Sequence, residues 1–390
     1  MVLERSSPVR LVFSFGARFA GGGNGRVAYY AVRGLYKQQL VAQVLCGSYR
    51  ETEITAKQIR ALGWPSRAAR RFAVSDRSGA VDFYYRVLYD RWAARRLPKC
   101  DIFFGWSGYC LETVRKAKGL GARTVLKAAL AHPAFVNRLV RSELQRWGIA
   151  HPTPKIENFV RQEIAGADII ITPSEFVNDS MRAEGIPADN IITIPFGVDT
   201  RRFVPPDGRK NGPFRALFVG QVSIRKGAHL LLQAWLQTGW TDAELWILGK
   251  MKLPPDLATR YQGLPGLQFL GNVADLVPIY QAADVFILPS LAEGSALVTY
   301  EAMACGLPLI VTPNAGSVAR DNEECLLVPA GDADAIAHSL ERLRSDERLK
   351  LNIGSAARTR VEELTWEKYS SRVVEAMLGL VQSGVDSPMV

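Results

Sequence analysis

The segment DVFILPSLAEGSALVTYEAMACGLPLIVTPNAGS, residues 284–317, places two apolar runs of strand length, DVFILPS and LPLIVT, on either side of a stretch with helical spacing. Strand, helix and strand in that order describe a parallel βαβ unit, with the helix crossing over one face of the sheet. The same alternation continues outward. RALFVG (215–220), AELWILG (243–249) and LQFLG (267–271) precede the segment, and CLLVP (325–329) follows it. A second series lies upstream: VRLVFSF (9–15), VAQVLC (41–46), DIFFG (101–105), TVLKAAL (124–130), DIIIT (168–172) and IITIP (191–195). Between the two series runs FGVDTRRFVPPDGRKNGPF (196–214), rich in proline, glycine and charge, which reads as a linker.

The pattern predicts an α/β protein of two Rossmann-like, doubly wound domains facing each other across a cleft. Residues 1–200 form the first, residues 201–365 the second, and the final helical stretch, 366–390, is free to pack back on the first. Ligands are expected at the C-terminal ends of the strands. A chain of 390 residues with 48% hydrophobic content suits two such cores. The five cysteines form no C-x-x-C pair and stand in apolar surroundings, which predicts reduced thiols and no zinc site. The N-terminus, MVLERSSPVRLVFSF, has charges directly before a short strand, and no apolar run reaches the length of about 18 residues that spans a bilayer. A cytoplasmic protein is expected.

The net charge of +10 is uneven: residues 1–200 hold 29 basic and 17 acidic side chains, leaving a small negative excess for the rest. Much of the surplus lies in residues 60–99, where Arg67, Arg71, Arg91 and Arg95 interleave with Trp64, Phe72, Tyr84 and Trp92. Two readings stay open for that stretch. It is a solvated helix face whose arginine stems cover apolar surface, or a contact with anionic lipid at the inner face of a membrane, including a lipid-linked acceptor. Nothing near it resembles a nucleic-acid module, and no nucleic acid is expected as partner.

Glu293 falls in the loop leaving a strand, and Gly294, Ser295, Ala296, Leu297 and Val298 lead into a helix whose first turn has unpaired backbone N–H groups, an arrangement that suits a phosphate. Glu301 follows two turns later and can accept bonds from two adjacent hydroxyls, as on a ribose. A glutamate near a helix start also simply complements the dipole. In FVGQVSIRKGAHLLLQAW (218–235), however, Arg225 and Lys226 stand at a helix mouth, where cations oppose the dipole unless an anion is bound between them.

From Arg161 to Gly331 the chain resembles the retaining glycosyltransferases of family 4, which have the GT-B fold of two Rossmann-like domains. The resemblance rests on E-x7-E at Glu293 and Glu301, R-K-G at Arg225 to Gly227, PSEFV at 173–177 and IPFGVDTRRF at 194–203. It implies that Arg225 and Lys226 hold the diphosphate of a nucleotide sugar, Glu301 the ribose and Glu293 the transferred sugar. The amides of Ser295 to Val298 would meet the phosphate and sugar, and the base would lie near Gly249, Asn272 and Val273. It also implies a metal-independent reaction with no cofactor, Glu293 and Lys226 being part of the catalytic set. Two positions depart from the family pattern: Gln221 stands where relatives commonly have arginine, and Ser295 and Ala296 where they often have phenylalanine and glycine.

The N-terminal loop FGARFAGGGNGRVAYYAVRGL (15–35) satisfies the loose G-x-G-x-x-A form through Gly23, Gly25 and Ala28, but the acid expected to close the second strand is absent. In the glycosyltransferase reading Gly22, Gly23 and Asn24 face the acceptor and the donor phosphate. His132, after TVLKAAL, would face the cleft, where the resemblance implies a contact with the transferred sugar; an ordinary loop residue is the equal alternative, and Glu143, Asn158, Arg161 and Glu163 are further candidates for the cleft. The expected activity is sugar transfer from a nucleotide diphosphate sugar to a hydroxyl, with anomeric configuration retained, in a pathway such as surface polysaccharide or glycolipid synthesis. A nucleotide-sugar-binding partner without activity and an NAD-dependent oxidoreductase are the competing readings.

Overall fold

A computed structural model describes residues 9–73, 79–150, 153–208, 212–271 and 273–383. The first half carries β1 (Leu11–Phe19), β2 (Val41–Tyr49), β3 (Ile59–Ala61), β4 (Ile102–Trp106), β5 (Arg123–Lys127), β6 (Ile169–Thr172) and β7 (Ile191–Thr193). They form one sheet in the order β3-β2-β1-β4-β5-β6-β7, and every pairing is parallel. The second half carries β8 (Phe214–Val219), β9 (Ala243–Leu248), β10 (Leu267–Phe269), β11 (Val285–Leu288), β12 (Leu309–Val311) and β13 (Cys325–Leu327). Their order is β10-β9-β8-β11-β12-β13, again all parallel. Each sheet has helices on both faces, so central strands such as IFFGW of β4 and VFIL of β11 are apolar and buried along their whole length. The two Rossmann-like units together are the GT-B architecture.

Two local expectations change. β3 has only three residues and lies at the sheet edge, where periodicity carries almost no signal. β1 runs on past Gly16 to Phe19 through an irregularity in its pairing with β2, so the glycine loop begins only at Ala20. The five cysteines are buried and form no disulfide.

Chain crossings and side-chain contacts tie the halves together. Val198 pairs with Thr365, and its N–H donates to the Leu364 carbonyl at 2.9 Å, so the outgoing and returning strands of chain lie side by side. The last helix, Trp366–Ser383, then packs on the helix Asn24–Lys37 of the first half. Trp366 stacks on Tyr30 with ring centroids 4.6 Å apart, and Ser370 Oγ donates to the Tyr30 carbonyl at 2.6 Å. Across the cleft, Ser174 Oγ donates to the Gly294 carbonyl at 2.6 Å. His229 Nε2 lies 2.9 Å from Glu143 Oε1, both residues being buried. This contact takes Glu143 out of the candidate site, since its carboxylate is committed to His229, Trp147 and Arg146.

Candidate active site

Loops leaving the C-terminal ends of β1, β4 and β5 in one sheet, and of β8 and β11 in the other, converge on one cleft of about 560 Å³. On the second half its wall begins at Val219 and Gly220, with Gly249 packed behind Gly220. A Cβ on Gly249 would overlap the Gly220 carbonyl oxygen, and both glycines have φ values (144° and 151°) that side chains rarely adopt. Only glycine therefore lets the ends of β8 and β9 approach so closely. The Lys226 side chain crosses Gly220, and Gly227 behind it takes φ +67° against the Pro289 carbonyl, which fixes the 225–227 turn beside the exit of β11.

There Glu293 accepts from Arg225 Nη1 and from Lys226 Nζ, one carboxylate oxygen to each cation. Arg225 Nη1 also donates to the Ala292 carbonyl at 2.8 Å. The trio carries one net positive charge in a site where Lys226 is only 8% exposed. Burial, and secondarily the Arg225 guanidinium, pull the Lys226 ammonium down to about 7. The Glu293 carboxylate in contact with Nζ favours the charged amine and works against both.

The helix Leu297–Ala304 starts a few residues later with Ala296 at its N-cap, a side chain that cannot cap. Ser295 is turned away from this role: its Oγ donates to the Gly316 carbonyl at 2.8 Å and lies 3.0 Å from Tyr300 Oη. The helix start is thus presented to the cleft as a positive end with small residues around it. Gly294, Ser295, Ala296, Leu297 and Val298 all line the cavity with Arg225, Lys226 and Glu293. Glu301, 8% exposed, lies on the same helix but not on the cavity wall itself. Burial raises its carboxyl group above the ordinary range, while Arg26, the Tyr280 hydroxyl and Arg202 act in the opposite direction.

From the first half, Gly23 and Asn24 line the cleft, and Gly22, although exposed, does not. Gly23 is the N-cap of the helix Asn24–Lys37 with φ +56°, and Gly25 is pressed against the Arg18 carbonyl, so these glycines first of all make the strand-to-helix turn possible. Gly249 acts by shaping the turn and is not on the cavity wall. Val273 is exposed outside it, and Asn272 lies outside the described residues.

The structure does not bring His132 to the cleft. Pro133 begins the helix Pro133–Arg146 directly after it, and His132 takes the N-cap position with its ring turned to the opposite side. It lines a separate groove with Asn158, Arg161 and Glu184, and Nδ1 stands 3.8 Å from the Glu184 carboxylate. Ala129, Leu130, Ala131 and Pro133 occupy the cleft wall instead. Glu163 is also withdrawn: fully buried, it accepts from the amides of Gly108 (2.5 Å) and Cys110 and from Ser107 Oγ (3.3 Å), holding the loop after β4 in shape.

Besides Asn24, the polar groups that line the first half were not assigned to the cleft from the sequence. Asp82 accepts from Arg86 Nε at 2.6 Å, and Arg86 also donates to the Gly108 carbonyl at 3.2 Å and lies over the Tyr109 ring. Asn137 donates to Glu157. Asp82 and Arg86 were visible as an i, i+4 pair within the basic stretch, but nothing local showed which face of their helix meets the cleft.

Two family models match the chain: "Glycosyltransferase Family 4" over residues 21–202 and "Glycosyl transferases group 1" over residues 213–346. Among curated proteins, an MMP alpha-(1->4)-mannosyltransferase of Mycolicibacterium hassiacum is 27% identical over 263 residues, 64% of each chain. The capsular polysaccharide biosynthesis glycosyltransferase CapM of Staphylococcus aureus is 30% identical over 173 residues, 42% of this chain and 44% of that one. The chain thus spans less than two thirds of the length of these relatives. Among solved structures, sucrose-phosphate synthase from Thermosynechococcus elongatus superposes with a TM-score of 0.67 at 17% identity, covering 96% of this chain and 100% of that one. HepE of Anabaena in complex with UDP gives 0.64 at 15% identity, covering 95% and 100%. With both halves matched by glycosyltransferase models and the two-sheet architecture shared with these solved structures, this chain belongs to the family 4, group 1 glycosyltransferases and has the GT-B fold.

Proposed function

We propose that this chain transfers a sugar from a nucleotide diphosphate sugar to a hydroxyl group of an acceptor, with retention of anomeric configuration and without a metal ion. The observation that carries the reading is the buried trio of Arg225, Lys226 and Glu293 beside an uncapped helix start, in the same cleft as Gly23 and Asn24. A diphosphate bound between the two cations and the helix start exchanges Glu293 for phosphate as their counter-ion, which frees that carboxylate for hydroxyls of the sugar. As the bond from the anomeric carbon to the phosphate oxygen breaks, the charge gathering on that oxygen meets fixed positive groups that need no reorganisation. The acceptor oxygen attacks from the same face, and its proton passes to the departing phosphate. Side-chain cations and the helix end supply the charge stabilisation that a divalent ion gives elsewhere. Gln221 is exposed and uncharged, so Arg225 and Lys226 carry the side-chain part of this task. In division of labour, the first half takes the acceptor and the second the donor, with the crossing near residue 200 between them. The relative HepE, solved with UDP, supports the donor class.

The test is a thermal-shift panel of nucleoside diphosphates and their sugars, with NADH as control, on the wild type and on Glu301→Ala. A shift of several degrees for one nucleotide sugar, lost in the variant, is the expected result. A shift with NADH alone, or with none of the panel, would sink the proposal.

The same reading extends to an acceptor held at an anionic membrane surface. Among the described residues no helix is long and apolar enough to cross a membrane. The helices Trp64–Ala73 and Ala80–Arg96 nevertheless expose Trp64 (73%), Phe72 (66%), Tyr84 (61%) and Leu88 (52%). Arg67, Arg71, Arg91 and Arg95 are exposed on the same two helices; residues 74–78 of the stretch lie outside the described residues. Tyr84, Leu88, Arg91 and Arg95 follow helical spacing along one stripe, while Asp82 and Arg86 of that helix line the cleft. Apolar tips among cations suit the headgroup boundary, and a lipid-linked acceptor there has a short way to the reacting centre. Neutralising those four arginines to glutamine is expected to weaken binding to phosphatidylserine-containing vesicles by about 10²-fold or more, at roughly 1 kcal/mol per cation near the surface. Unchanged co-sedimentation with such vesicles would contradict the membrane part alone.

A further inference from the structure

One ion pair reaches across the cleft from the helix at the glycine loop to the E-x7-E helix. Arg26 Nη1 lies 3.5 Å from Glu301 Oε1. Arg26 stands in the first turn of the helix Asn24–Lys37, which has no acid there. A cation in that position opposes the helix dipole, so the local helix gains nothing from it. What offsets it is Glu301, in the other half of the molecule. The second oxygen of Glu301 is also held: Tyr280 Oη, on a fully buried ring, donates to Oε2 at 3.1 Å. The carboxylate is thus fixed at both oxygens, by one group from each half, with its remaining lone pairs free for a ligand. The Arg26 side chain is 34% exposed against 10% for Glu301, so it approaches from the open side, next to Gly23 and Asn24 on the cleft wall.

We propose that Arg26 is a donor-positioning residue: held on Glu301 Oε1 from the opposite half, it sets the carboxylate to take the two adjacent hydroxyls of the nucleotide ribose. This rests on the reading of Glu301 as the carboxylate that meets the ribose. Because the pair forms only while the two halves are closed on each other, ribose recognition and closure are linked, and each strengthens the other. The chain thereby draws on its first half for a cation in the donor site, where Gln221 offers none.

The test compares UDP, GDP and ADP with their 2′-deoxy counterparts by calorimetric titration of the full chain, as wild type, Arg26→Ala and Arg26→Lys. The wild type is expected to prefer the ribo form of its nucleotide by about 10-fold or more, the size of one hydrogen bond to a charged group. In Arg26→Ala that preference falls to about 2-fold or less while affinity for the deoxy form is nearly kept, and Arg26→Lys recovers part of it. A merely structural role would weaken both forms equally and leave the ratio untouched; that result overturns the proposal and spares the donor site. A wild type that ignores the 2′-hydroxyl, or binds none of the three nucleotides, overturns the ribose role of Glu301 and this proposal with it. Should the alanine variant fold poorly in a melt without ligand, Arg26→Gln serves the same comparison.

Discussion

Replacing Lys226 by alanine is expected to lower kcat/KM for sugar transfer by about 10²–10³-fold, in line with the loss of one pre-oriented electrostatic donor from an active site. The ammonium is buried, pinned over Gly220 and paired with Glu293, so its position is set before any ligand arrives. Removing it has two consequences. The departing phosphate loses a fixed positive group at the point where charge appears. Glu293, left with Arg225 as its single partner, is also drawn more firmly to that guanidinium and away from the sugar. Steady-state kinetics with a matched nucleotide sugar would show the loss mainly in kcat, because the charge on the leaving oxygen is greatest in the transition state. A fall confined to KM would mean that Lys226 binds the ground state and transition state alike. An unchanged kcat/KM would remove the lysine from the mechanism.

Gly294→Ala is expected to cost about 10²-fold in kcat, the order associated with a displacement of about 1 Å between reacting groups. Alanine suits the backbone of this residue, whose φ lies outside the left-handed region, so the chain is not strained locally. The obstacle lies in the other half. A Cβ here would overlap the Ala129 carbonyl oxygen and come within 3.1 Å of its carbon, and this is backbone that no rotamer change can move aside. The halves must then part along the line where the Glu293 loop meets the loop after β5, weakening the bond from Ser174 Oγ to the Gly294 carbonyl. Nucleotide binding, which the proposed function assigns mostly to the second half, should fall far less than kcat, and the melting temperature should change by only a few degrees. Kinetics, nucleotide titration and a melt on one preparation separate these effects. Equal losses in nucleotide affinity and kcat would show that the damage is local to the donor loop and that closure is not involved.

The alternation of strand and helix was legible because it is local. The strands run over three to nine mostly apolar residues and the crossover helices have their own period, so twelve of the strands were legible from local pattern. Only β3 left no trace: its three residues, Ile59-Arg60-Ala61, hold a central arginine and a single buried side chain, so no apolar run marks it. Glu293, Lys226 and Arg225 were legible for a related reason. In a parallel sheet every strand ends on the same side, so residues just past β8 and β11 must share an edge whatever the packing of the rest.

Side-chain direction and partners across the cleft were decided by tertiary structure. His132 and Ala131 are neighbours in sequence, yet the helix start at Pro133 sends one to an outer groove and leaves the other on the cleft wall. Glu163 and Glu143 carry the same chemistry as Glu293, but one is consumed by the amides of Gly108 and Cys110 and the other by His229. Arg26 and Glu301 meet only because the returning helix Trp366–Ser383 packs on the helix Asn24–Lys37 and the two sheets close on each other. The sequence by itself determined two parallel sheets and the edge at which a ligand must lie, since both follow from periodicity and strand direction. Which charges face one another across that edge depends on how two separately folded cores dock, and no local pattern encodes that.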